Sequence, residues 1–268
     1  MSKVLDFKDY SSWMPNLNSI VDKYNIQPLI DAFKESNECL DFYDIKKFIN
    51  EEIIKELQRF ILNEYKFIVF YHATATNNIE SYYNNGLLLM DTTRQNKFIR
   101  DIFNEKDFPE LTDDKFNSVC EKIKNDVLKE SGLKLRKNKI YFCLDDKHLI
   151  ENESANHYLV YGSEYNLIFS QHLSTNPRDY PEYLEKKLKS TLFKCKVPTN
   201  LILEEDLISC IDSIIVRYFE NLIYPNEANH DIWSCIEIYE NLEPAYVLNH
   251  THPKNLKCNL KKSMYGHY

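Results

Sequence analysis

Apolar residues in the first quarter of the chain recur at helical intervals. Ile26, Leu29, Ile30 and Phe33 make one stripe; Ile45, Phe48, Ile49, Ile53, Ile54, Leu57, Phe60 and Ile61 make a second. Residues three and four apart share a helix face, so the spacing predicts two or three helices between about Ile20 and Asn63, packed as an N-terminal cap. The pattern then changes. Phe67-Ile68-Val69-Phe70 is a continuous apolar run within Lys66 to Tyr71 and reads as a buried first strand. A helix-like segment from about Asn78 to Asn84 follows, and Gly86 stops it as a glycine past a last helical turn does. Phe98, Ile102 and Phe103 fall on one helical face of a charged segment. Phe116, Val119, Cys120, Ile123 and Val127 stripe a helix from Lys115 to Glu130 that ends near Gly132.

A second strand spans Lys139 to Cys143. After a loop, a helix runs from about Ser154 to Tyr161 and stops at Gly162. A further helix, Pro181 to Ser190, leads into a third strand, Leu192 to Val197, closed by Pro198. A helix over Leu207 to Tyr224 precedes two strand-like runs, Ile232 to Tyr239 and Tyr246 to Leu248, joined through Pro244. Short strands among helices, without regular βαβ alternation, place the chain in the α+β class. The change of pattern near Tyr65 divides it into an N-terminal helical segment, 1–64, and a domain over 65–268.

Composition narrows the picture only a little. A length of 268 residues and a 43% hydrophobic share support one large domain or two small ones. A net charge of −8 argues against coating nucleic acid by electrostatics alone. The basic clusters at Lys122 to Lys139 and Lys254 to Lys262 read as solvated faces and a tail. Charges at Asp6, Lys8 and Asp9 interrupt any secretion signal, and no run approaches the roughly 20 apolar residues of a membrane span. Seven cysteines, an odd number without a CxxC pair, suggest reduced thiols in a cytoplasmic protein rather than a disulfide frame or zinc site. Cys143, Cys195 and Cys235 lie in strand-like runs where small buried hydrophobes are expected, and Trp233 reads as core. There is no GxGxxG, Walker loop or HExxH. Glu204-Glu205 and Asp145-Asp146 fall in loops or helix starts and read as capping or solvated charge.

The residues best placed for chemistry surround His72. It stands where the first strand is expected to end, with Ala73 offering free backbone groups and Thr74 able to fix the imidazole tautomer. Ile140-Tyr141-Phe142 followed by Ser154-Ala155-Asn156-His157-Tyr158 repeats the strand-then-helix arrangement. Tyr161-Gly162-Ser163-Glu164-Tyr165 beyond it reads as a helix end or as the lining of an acceptor site.

Tyr71-His72-Ala73-Thr74, Asn78 and Gly86-Leu87 resemble the first motif of the ADP-ribosyltransferase superfamily, in its diphtheria-toxin-like and poly(ADP-ribose) polymerase-like branch of His-Tyr-Glu type. That motif reads aromatic-His-Gly-Ser/Thr, then Asn, then Gly-Leu; Ala73 stands where the family has glycine. Ile140-Tyr141-Phe142 resembles the second-motif strand, with Lys139 in place of its glycine, and Ser154 to Tyr158 resembles the Ser-x-x-Tyr helix. Cys235 to Val247 resembles the closing strand pair that carries a glutamate; Glu237 fits best, with Glu240 and then Asp231 as alternatives. Three short motifs between about 66 and 250 carry the likeness.

The resemblance implies a split mixed sheet with helical insertions and makes 65–268 the catalytic domain. It implies NAD as substrate, without a metal. His72, Ala73, Thr74, Tyr141, Ser154 and Tyr158 would hold NAD, with Tyr141 and Tyr158 sandwiching the nicotinamide. Arg94 or Arg100 would meet the pyrophosphate, and Glu237 would act on the ribose. The expected reaction transfers ADP-ribose to a macromolecular acceptor, protein or nucleic acid. Small bacterial and phage members often serve as toxins or in antiviral defence, and the N-terminal helices would offer a surface to an antitoxin or target, with no membrane partner. An NAD glycohydrolase, or an inactive module that binds a nucleotide or partner, remains the alternative.

Overall fold

A computed structural model describes residues 3–36, 49–104, 107–123, 138–151, 155–173, 183–184, 186–224, 234–254 and 256. The class is α+β, as the pattern of short strands and helices predicts. The helices are α1 (Met14–Val21), α2 (Gln27–Ser36), α3 (Glu51–Glu64), α4 (Glu80–Asn85), α5 (Thr92–Ile102), α6 (Asp113–Lys122), α7 (Asp146–Glu151), α8 (His157–Tyr161), α9 (Glu164–Leu173) and α10 (Glu204–Ile223). The strands are β1 (Lys3–Leu5), β2 (Tyr65–Thr76), β3 (Ile140–Cys143), β4 (Lys189–Pro198), β5 (Cys235–Ile238) and β6 (Val247–Thr251). They hydrogen-bond as one six-stranded sheet in the order β5-β3-β2-β4-β6, with β1 beside β2. Lys3 pairs with Tyr65 and Leu5 with Ile68 in parallel, whereas Leu192 pairs with Thr251 and Phe193 with His250 in antiparallel register.

Three differences from expectation have physical causes. First, β2 does not stop at Tyr71 but continues through His72 to Thr76, a 12-residue strand. Its second half lacks an apolar run, yet Ala73, Thr74, Ala75 and Thr76 are all buried, threonine suits a pleated sheet, and β3 and β4 flank the strand. Second, β5 and β6 are not a neighbouring pair but stand at opposite ends of the strand order. The segment between them does not fold back as a hairpin; it pairs at Leu242 with Leu87. Third, α7 occupies a stretch read as loop, and α9 one given no element by the sequence pattern, its apolar positions being spread around the helix.

The chain forms two compact units. The first comprises Met1–Phe70, Phe142–Asp145 and Lys196–Glu237; the second comprises Tyr71–Tyr141, Asp146–Cys195 and Ile238–Tyr268. This division differs from a boundary at 64/65, since the N-terminal helices share their unit with α10. In the first unit, Asn50 caps α3 by accepting from the Glu52 N–H at 2.9 Å, and Ile53, Leu57 and Ile61 turn the buried face of that helix inward. Burial of a side chain such as Leu57 stabilises by roughly 2 kcal/mol. The Gln58 amide donates to the Asp212 carboxylate of α10, and the Tyr218 hydroxyl to the Asn18 amide oxygen at 2.8 Å. In the second unit α5, α6 and α9 close on Phe103, Phe116, Tyr165 and Phe169. Asp91 caps α5 and Thr112 caps α6. Among the described residues no helix is long and apolar enough to cross a membrane.

Candidate functional site

His72 lies on β2 in the second unit, half-buried, and its Nδ1 is 2.9 Å from the Tyr141 backbone carbonyl on β3. A carbonyl only accepts, so Nδ1 carries the proton and Nε2 is the accepting nitrogen of the neutral ring. Burial pushes the imidazole below its ordinary 6.5, and the Tyr141 carbonyl opposes this more weakly. The ring is thus a neutral imidazole of defined tautomer at pH 7. Thr74 does not orient it, contrary to expectation. Two residues along the same strand face, its short hydroxyl instead donates to the Gly162 carbonyl at 3.2 Å and lies 3.5 Å from the Tyr82 hydroxyl. Nor is Ala73 at a strand end with free backbone groups: it is buried within β2.

The segments read as first and second motifs meet here. Gly162 ends α8 at φ +78°, and a Cβ there would stand 2.6 Å from the Ala75 carbonyl oxygen. Only a residue without a side chain lets the end of α8 approach β2 so closely. The Asn166 amide donates to the Tyr161 carbonyl at 2.8 Å, fixing the turn into α9. Tyr158 is half-buried on α8, its ring 4.0 Å from that of buried His157, whose Nε2 is 3.7 Å from the Glu164 carboxylate. Tyr141 is half-buried on β3.

Gly86 is the second close approach. It has φ +76°, and a Cβ would lie 1.9 Å from the Leu242 carbonyl oxygen. Leu87 N–H donates to Leu242 at 2.9 Å and Leu242 N–H to Leu87 at 2.8 Å, while Leu89 N–H reaches the Asn241 side chain at 2.7 Å. The end of α4 is therefore clamped to the segment carrying exposed Glu240.

Glu237 belongs to the first unit. It is half-buried on β5, and its backbone N–H donates to the Asp206 carboxylate at 3.3 Å. Arg94 is exposed at the start of α5, one guanidinium nitrogen donating to the Leu89 carbonyl. Arg100 is committed to structure, donating to the Leu111 carbonyl at 2.9 Å and to Asp113 at 2.7 Å. Ser154, Asp231 and Trp233 lie outside the described residues.

Sequence reasoning missed a ring cluster in the second unit. Tyr82 stacks on Phe193 with centroids 4.5 Å apart, and its phenol is held protonated by burial. The Tyr83 hydroxyl is 2.7 Å from His250 Nδ1, and the rings of His250 and His252 are 5.0 Å apart. Tyr82 and Tyr83 come from α4, Phe193 from β4 and His250 from β6, with His252 one residue past that strand. The signal available was the alternation of Leu192 to Val197, which sends Phe193 and Cys195 to one face. A cleft of about 340 Å³ in the same unit is lined by Leu159, Leu188, Lys189, Ser190, His252 and Lys254 among others, and by none of His72, Tyr141 or Tyr158. No protein-family model, curated protein or solved structure matches the chain.

Proposed function

We propose that the chain is an NAD-dependent ADP-ribosyltransferase of His-Tyr-Glu type. The observation that carries this reading is the His72 to Tyr141 bond, which joins the first-motif and second-motif residues and defines the imidazole tautomer. A neutral ring accepting at Nε2 suits a ribose hydroxyl donor. Tyr141 and Tyr158, each half-buried, supply aromatic faces for nicotinamide, and exposed Arg94 retains donors for a pyrophosphate. Cleavage of the nicotinamide–ribose bond builds oxocarbenium charge, which a carboxylate bound to the ribose stabilises. Glu237 takes that role by motif order, and Glu240 is the alternative in the same unit as His72. The acceptor is a macromolecule, and a toxin or defence role follows from the family likeness alone.

The test is nicotinamide release from NAD by the purified protein, alone and with cell lysate. Release that needs lysate, and is lost in His72→Ala and Glu237→Gln, supports transfer; release without lysate supports glycohydrolysis or automodification. A folded protein that neither binds NAD nor releases nicotinamide would sink the reading. One observation favours the second reading, an inactive binding module: Ala73, where the family has glycine, is buried within β2. Binding of NAD without turnover in either condition would establish that alternative.

A further inference from the structure

Two cysteines in the first unit form a pair that the sequence pattern did not suggest. Cys143 ends β3 and Cys235 begins β5, and these strands are neighbours in the sheet. Their sulfurs are 2.7 Å apart. One residue along each chain, the Leu144 N–H donates to the Ser234 carbonyl at 2.8 Å, so the sheet holds the two side chains against one another. Cysteines on hydrogen-bonded neighbouring strands with sulfurs in contact satisfy the approach that a disulfide requires.

The two thiols are not equivalent. Cys235 is exposed, whereas Cys143 is buried. The hydrogen bond with Cys143 holds the Cys235 thiol below the ordinary range, and burial opposes this more weakly. The same bond and burial keep Cys143 protonated. Cys210, by contrast, is buried and pushed up to about 12, and half-buried Cys120 to about 11, both by desolvation. Thiolate character and access decide which cysteine reacts, and the two coincide at Cys235.

We propose that Cys143 and Cys235 are a redox modification site that closes to a cross-strand disulfide and reopens under a thiol reductant. The oxidant is a low-molecular-weight disulfide. The Cys235 thiolate attacks one of its sulfurs, forming a mixed disulfide and expelling one thiolate, which takes up a proton. Cys143 then loses its proton to solvent and attacks the Cys235 sulfur, expelling the second small thiol. Two protein thiols are oxidised by two electrons and one small disulfide is reduced to two thiols. Cys235 attacks and Cys143 resolves. Closure ties β5 covalently to β3, two residues before Glu237. The assignment rests on the first unit alone and stands independently of the NAD reading.

The experiment treats reduced full-length protein with glutathione disulfide, quenches and alkylates it with N-ethylmaleimide in denaturant, and maps the peptides by mass. The expected result is a Cys143–Cys235 cross-linked peptide pair, reversed by dithiothreitol, with Cys120, Cys195 and Cys210 alkylated. Cys143→Ala should accumulate one glutathione adduct on Cys235, because nothing remains to resolve it, and Cys235→Ala should show neither the cross-link nor an adduct on Cys143. Circular dichroism melts establish that the variants fold, and the mapping of the unaltered protein decides the matter if one does not. Alkylation of both cysteines after oxidant, a cross-link from either to another cysteine, or an adduct that forms first on Cys143 overturns the proposal.

Discussion

The two units bury polar groups in different ways. The first unit encloses a charged pair on one helix: Arg217 and Glu220 are 3% and 1% exposed, 3.1 Å apart, with the guanidinium over the Phe7 ring. In the second, the buried groups Thr74, Thr76 and Asn166 are neutral and bond backbone groups of Gly162, Asn78 and Tyr161. A buried charge is tolerated only while its partner remains, so the first arrangement is all-or-nothing. A neutral hydroxyl or amide contributes in small, separable amounts. His72, Tyr141 and Tyr158 share a unit with the second arrangement, in which neutral bonds fix loop positions.

The sharpest way to break this comparison is Arg217→Met, which takes the guanidinium away from buried Glu220. It is expected to destabilise by about 4 kcal/mol in urea unfolding, and Arg217→Met with Glu220→Leu should recover most of that loss. If the double variant were no better than the single, the all-or-nothing account would fail. Next comes Gly86→Ala. A Cβ 1.9 Å from a backbone oxygen, at φ +76°, should cost about 3 kcal/mol. Gly162→Ala, with its nearest contact at 2.6 Å, should cost less in the same assay.

Thr74→Val keeps the shape and removes the bond to Gly162. A loss of about 1 kcal/mol is expected, small beside Arg217→Met, and a larger loss would erase the contrast between the units. The smallest effect belongs to pH. Burial holds the folded-state pKa of His72 below 6.5, so the unfolded chain binds the proton first as pH falls. The His72 contribution is therefore fully present above about 6.5 and is lost as pH drops from there through the folded-state value. His72→Gln should flatten the dependence of Tm on pH in that window, and an unchanged slope would show that the ring is not held neutral.

The sequence was most legible where a single rule governed a segment. Gly86 and Gly162 read as helix stops, and both follow a last helical turn with a positive φ that glycine adopts without strain. The stripe at Ile53, Ile54, Leu57 and Ile61 became the buried face of α3. Where two physical demands compete, legibility failed. His72 to Thr76 carries polar and small residues that no apolar-run rule marks as strand, yet flanking strands on both sides make it one. The fate of the Thr74 hydroxyl depended on a carbonyl 88 positions away, and local spacing cannot supply that information. The Cys143–Cys235 contact was hidden for the same reason, since 92 positions separate the two cysteines. The ring cluster of Tyr82, Tyr83, Phe193 and His250 joins residues from three elements and has no local signature at all.

The Leu87–Leu242 clamp bears on the timing of synthesis. It joins two segments of which the second leaves the ribosome well after the first. Contacts between such distant positions form late, because the intervening chain must first be made and ordered. The nascent chain thus carries His72 and Tyr141 long before the end of α4 can be locked. The end of α4 therefore lacks this clamp until residue 242 has emerged.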